Sequence, residues 1–222
     1  MEDNSKGKVI SGLFWKFAER IGAQGINVIV SIILARMLSP EDYGLVALTT
    51  IFITISNVLI ENGFGTALIQ KKDADDLDFS SVFYINIIIS IILYIAIFLI
   101  SPIIAQFYNN EQLVPILRVL GIMVLFSGIK SVQNAYVSRK MIFKKFFIST
   151  SIGTMFSAVV GIYMAYNNYG VWALVAQQLT NTIFSTIILW ITVKWRPIAE
   201  FSFERIKTLF RFGWKMLCSR TN

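Results

Sequence analysis

Histidine is absent from the 222-residue sequence, cysteine occurs once, as Cys218, and proline only four times. Without histidine there is no HExxH motif and no imidazole base, and one cysteine makes neither a CxxC pair nor an intrachain disulfide. Most enzyme templates are thereby excluded, and no catalytic residue, metal or cofactor is expected. Charge is scarce as well: Asp, Glu, Lys and Arg make up 15% of the chain, against 55% hydrophobic residues and a mean hydropathy of +0.65. That leaves too little polar material to coat a water-exposed globule, which excludes a soluble fold. The formal charge of +7 could suggest nucleic acid, but in so apolar a chain it reports basic loops on one side of a bilayer, and no nucleic-acid partner is expected.

What the sequence does have is long uncharged runs. A bilayer core of about 30 Å needs roughly 20 helical residues. Phe79 to Asn110 is 32 residues without charge, and Phe146 to Val193 is 48. The second run holds a turn signal, Asn167, Asn168, Tyr169 and Gly170, and divides there into two crossings. With an 18-residue run from Tyr43 to Ile60 and two segments that carry internal charge, six spans are expected, near 11–38, 43–63, 79–101, 113–137, 146–166 and 171–193. Pro102 is expected to end the third. The fold class is therefore all-α and polytopic, with a six-helix transmembrane lobe over 1–200 and a cytoplasmic-side stub, the start of a seventh helix, over 201–222. No cleavable signal peptide is visible, because Lys16, Glu19 and Arg20 interrupt the first hydrophobic stretch.

Placing the N-terminus in the cytoplasm puts Lys6, Lys8, Lys71, Lys72, Arg139, Lys140, Lys144, Lys145, Lys194 and Arg196 inside and leaves Arg36 outside. That asymmetry sets the expected orientation.

Ionisable groups at membrane depth are costly and normally face a bundle interior or a watery cavity. At about 100° per residue, Lys16, Glu19, Arg20, Gln24, Asn27 and Ser31 fall on one face of the first span. Tyr43, Thr50, Thr54, Asn57 and Glu61 share a narrow face of the second. Asn86, Ser90, Tyr94 and Ser101 align on the third, Ser127, Lys130, Asn134 and Ser138 on the fourth, and Gln177, Asn181 and Ser185 on the sixth. Lys16 and Arg20 either line a cavity or snorkel to the headgroups. Lys130, with eleven uncharged residues before it and eight after, should be drawn to a cavity or a carboxylate. Glu61 is its anionic counterpart or an interfacial carboxylate, and Arg118 is expected to snorkel outward.

Gly153, Ser157, Gly161 and Ala165 recur every fourth residue in the fifth span, a smooth ridge suited to internal helix packing or to self-association. Asp73, Ala74 and Asp75 spell a D-x-D metal pattern, thickened by Asp76 and Asp78, but a short connector beside Lys71 and Lys72 reads as a solvated loop. Trp172, Trp190 and Trp195, with Tyr169, read as interfacial anchors.

Four segments carry a family likeness: LARMLSPEDYGLVAL (34–48), ENGFGTALIQ (61–70), SRKMIFKKF (138–146) and NNYGVWALVAQQ (167–178). In this order they resemble the Wzx-type polysaccharide and lipopolysaccharide flippases of the multidrug/oligosaccharidyl-lipid/polysaccharide exporter superfamily. The resemblance implies a MATE-like transporter in the bacterial inner membrane, with twelve to fourteen helices in two lobes around a polar, often cationic cavity. It would move a polyprenyl-pyrophosphate-linked oligosaccharide between leaflets, with membrane lipids and other polysaccharide assembly proteins as further partners. On that likeness Lys16, Arg20 and Lys130 would attract the pyrophosphate. Gln24, Asn27, Asn57, Asn86, Asn134, Gln177 and Asn181 would solvate the glycan, and Glu19 and Glu61 would couple a cation or neutralise the basic groups. The chain is expected to be one lobe and a stub of a longer sequence. The competing expectations are a cation-coupled multidrug antiporter, a membrane-embedded polymerase or ligase, and an inactive fragment. Acidic lining would favour the antiporter, and a large outer loop the enzyme.

Overall fold

In the computed structural model, which describes residues 2–71 and 73–209, six helices follow one another. They are α1 (Glu2–Ala35), α2 (Pro40–Gln70), α3 (Asp76–Phe107), α4 (Leu113–Lys140), α5 (Lys144–Tyr166) and α6 (Val171–Thr192). Five of them, α2 to α6, are long and apolar enough to cross a membrane; α1 contributes the shorter apolar segment Gln24–Ala35. The chain is thus a polytopic helical membrane protein. Turns at one end join α1 to α2, α3 to α4 and α5 to α6; the opposite end, with the α2–α3 and α4–α5 connections, carries Lys71, Arg139, Lys140, Lys144 and Lys145 and is called the basic end here.

Local chemistry fixes the helix starts. Ser39 caps α2 in a reciprocal box: Asp42 N donates to Ser39 Oγ at 3.2 Å, Ser39 N donates to Asp42 Oδ2 at 3.0 Å, and Pro40 occupies the first turn. Asp75 and Asp78 form the same box at α3. The predicted turn before α6 is tight, with Asn168 at φ 60° and Gly170 at φ 55°.

Pro102 does not end the third span; α3 runs on to Phe107. Proline at 102 cannot donate to the carbonyl of Phe98, one turn back, and the hydroxyl of Ser101 donates to that oxygen instead, at 2.8 Å. The orphaned acceptor is satisfied, and the helix continues.

Packing follows the small residues. The ridge of Gly153, Ser157, Gly161 and Ala165 is buried in the most extensive helix contact of the bundle, between α5 and α6. The α3–α4 seam is closer still: a Cβ on Gly128 would lie 2.6 Å from Ser90 Oγ and 2.9 Å from the Asn86 carbonyl oxygen, so only glycine fits. α2 packs on α4, α1 on α5, and α4 on α6. One apolar cluster, around Leu113, Leu117, Leu120 and Ala173, fills the middle and the end opposite the basic one; a second, around Leu68, Phe79, Val132 and Leu189, fills the basic end.

The aspartate run is not a freely solvated loop. Asp78 is fully buried and receives Lys71 Nζ at 2.6 Å and Arg205 Nη1 at 3.4 Å, while Arg205 Nη2 lies 3.2 Å from Asp75. Trp195, expected at the interface, is buried and donates to Asp76 at 3.1 Å. The segment after α6, expected to be a stub, is strapped across the first turns of α3. Ile198 N and Ser202 N donate to Ser80 and Ser81 hydroxyls at 3.0 Å each, Tyr84 donates to the Ile198 carbonyl, and Ile206 and Leu209 enter the second apolar cluster.

Candidate functional site: a polar groove on the bundle

The site is set by α2, α4 and α6. Lys130 lies in the half of α4 toward the basic end, flanked by apolar turns, and its ammonium donates to Ser185 Oγ on α6 at 2.9 Å. Ser185 passes its own proton to the Thr182 carbonyl, so its oxygen is left to accept from Lys130. Across the groove Glu61 of α2 interacts electrostatically with Lys130. A cation at this depth persists only with polar neighbours, and here it has a hydroxyl and a carboxylate.

Neutral acceptors adjoin it. The side-chain carbonyl oxygens of Asn57 on α2 and Asn134 on α4 are buried and accept no hydrogen bond among the described residues, and the Tyr43 hydroxyl is likewise unpaired. Each such group is costly unless a polar guest satisfies it. Farther from the basic end a cavity of about 510 Å³ lies along α2, where Tyr43, Thr50, Thr54 and Gln178 interrupt a wall of Val46, Ala47, Ile51 and Ile55.

The sequence-predicted residues divide. Glu61 on α2 and Lys130 on α4 interact electrostatically, and Asn57 and Asn134 lie one turn from them on the same two packed helices. Gln177 and Asn181 are half-buried on α6, where Gln177 packs over Gly161 and the backbone of Asn181 approaches Gly153. Asn27 is half-buried and Gln24 exposed on α1. Asn86 is elsewhere: fully buried in the α3–α4 seam, it donates to Ser131 Oγ at 2.7 Å, an interhelical tie and not a groove residue. The side chains of Lys16, Glu19 and Arg20 lie outside the described residues. Ser185, aligned with Gln177 and Asn181 on the polar face of the sixth span but given no role there, holds Lys130; Gln178 is one step off that row and carried no such signal.

Arg118, expected to snorkel, is half-buried between α3 and α4. Its Nε donates to Ser101 Oγ at 3.2 Å, and its guanidinium carbon lies 4.0 Å from the Phe98 ring centroid.

The teichuronic acid biosynthesis protein TuaB of Bacillus subtilis (strain 168) is 29% identical over 219 residues, covering 96% of this chain and 44% of TuaB. The succinoglycan biosynthesis transport protein ExoT of Rhizobium meliloti (strain 1021) is 24% identical, over 92% of this chain and 42% of ExoT. The lipopolysaccharide biosynthesis protein WzxC of Escherichia coli (strain K12) is 23% identical, over 93% of this chain and 42% of WzxC. The chain thus spans a little under half the length of these relatives. No solved structure matches it. The profile of one family, described as polysaccharide biosynthesis protein, matches residues 33–222, which include every described residue of the groove on α2, α4 and α6, and the chain belongs to that family.

Proposed function

We propose that the groove forms one wall of the path by which a lipid-linked oligosaccharide crosses the bacterial cytoplasmic membrane during surface polysaccharide assembly, and that the chain acts as a transporter and not as an enzyme. The observation that carries this reading is Lys130, a cation held in the groove by Ser185 beside the unpaired acceptors of Asn57 and Asn134. A flippase must shield an anionic, hydrated headgroup from hydrocarbon while the prenyl tail stays in lipid. Lys130 supplies the charge for a pyrophosphate, and the amides and hydroxyls supply hydrogen bonds for sugars. Glu61 keeps the cation neutralised when no substrate is bound and is the described candidate for ion coupling. The names of ExoT and WzxC, a transport protein and a lipopolysaccharide biosynthesis protein, support the same reading. The basic end faces the cytoplasm in this proposal, in keeping with the excess of Lys and Arg there.

The test is reconstitution of the full-length protein in liposomes with a fluorescent lipid-linked oligosaccharide. Transfer between leaflets that Lys130→Ala abolishes supports the proposal; equal transfer by protein-free liposomes or by the variant would contradict it.

A further inference from the structure

One cation takes no part in the groove. Arg118 shares a face of α4 with Ile122, Leu125 and Ile129, at steps of four, three and four residues, turned away from the buried row Leu113, Leu117, Leu120 and Val124. Ile122 and Leu125 are half-buried there, and Ile129 packs against the apolar cluster at the basic end. Ser101 and Phe98 hold the guanidinium along one edge, and Ser101 is itself fixed by the bond to the Phe98 carbonyl that Pro102 leaves open. The ion pairs among the described residues join Lys71, Arg205, Asp75 and Asp78, and none involves Arg118.

Its depth is informative. α3 has 32 residues, about 48 Å, against about 30 Å of hydrocarbon, so about 9 Å projects at each end. Ser101 lies six residues before Phe107, again about 9 Å from the helix end, which sets Arg118 at the boundary of the acyl chains with the headgroups. A planar fork whose Nε is bonded to Ser101 keeps its terminal N–H groups for a phosphodiester, whose charge would neutralise it. Water alone would serve a snorkelling lysine; the stacked, edge-bonded geometry selects a planar partner in one orientation.

We propose that Arg118, positioned by Ser101 and Phe98, binds the phosphate of an anionic glycerophospholipid in the leaflet at the α3–α4 turn, with acyl chains along Ile122 and Leu125. The site is separate from the groove and independent of what the groove carries.

The full chain, purified in detergent, is titrated separately with phosphatidylglycerol and phosphatidylcholine, and bound lipids are counted by native mass spectrometry. Arg118→Gln is expected to bind phosphatidylglycerol about tenfold more weakly, with phosphatidylcholine binding unchanged. Equal phosphatidylglycerol binding by variant and parent would overturn the proposal, as would displacement of the lipid by inorganic phosphate at equal concentration. A second measurement does not depend on the variant folding: benzoylphenylalanine replacing Ile122 should photocrosslink to phosphatidylglycerol in preference to phosphatidylcholine, and crosslinking without preference would likewise overturn it.

Discussion

Lys130 on α4 and Ser185 on α6 share a 2.9 Å hydrogen bond, which joins two helices of the groove through its cation. The bond does not neutralise Lys130; it orients it. Replacing Ser185 with Ala should therefore lower transport only severalfold, whereas Lys130→Ala should abolish complementation of a flippase-deficient strain while membrane abundance stays normal. Full complementation by Lys130→Ala removes the residue from the site.

The α3–α4 seam predicts a steric effect. In Gly128→Ala the new Cβ meets the Asn86 carbonyl oxygen at 2.9 Å as well as Ser90, so the helices must part, at a cost of about 1–3 kcal/mol. Removing the Ser90 side chain as well should not restore stability, because the backbone contact remains. Thermal unfolding of the purified single and double variants measures both.

The clasp at the basic end predicts a charge effect. Asp78 is buried against Lys71 and Arg205, so Asp78→Ala leaves two cations without their shared partner. Removing one member of a buried pair costs on the order of 3–5 kcal/mol, and half-exposed Arg205 puts this case toward the lower end. Arg205→Ala, which leaves Lys71 on Asp78, should cost less. Protease resistance of the segment 195–209 is the readout, and equal protection in both variants would show the clasp to be held by its apolar contacts.

Acid tests the same clasp with a defined sign. The backbone N–H of Asp78, and after it the Arg205 guanidinium, hold the Asp75 carboxyl below its ordinary range. Because the folded-state value is lowered, its contribution is complete above the ordinary aspartate value of about 3.9 and is lost as pH falls through the lowered one. Hydrogen exchange at Ile198 and Ser202, corrected for intrinsic rates, should be unchanged between pH 7 and pH 5 and should rise only below about pH 4. A rise near pH 6 would contradict this assignment.

Much of this architecture is legible in the sequence because membranes impose simple rules. Uncharged length marked α2, α3, α5 and α6, the Asn167–Gly170 turn marked a helix end, and fourfold spacing of small residues marked the α5–α6 contact. What was not legible depends on partners distant in sequence. Periodicity put Asn86 on a polar face but could not say that the face meets Ser131 rather than water. Pro102 is the exception: the hydroxyl that rescues its helix belongs to Ser101, its neighbour in sequence, and bonds a carbonyl three residues back. Asp78 read as solvated because Arg205, 127 positions later, completes its ion pair. That Lys130 meets polar neighbours was legible because a lone charge amid apolar turns has few places to go.

The most direct measurement is thiol accessibility in membrane vesicles. In a full-length chain with Cys218→Ser, single cysteines at Asn57 and Asn134 are exposed to a membrane-impermeant thiol reagent with and without lipid-linked oligosaccharide. The account predicts that both positions are modified from water and that the oligosaccharide slows the modification. Both positions remaining unmodified from either side of the membrane, while a control cysteine at exposed Asn168 reacts, would contradict it.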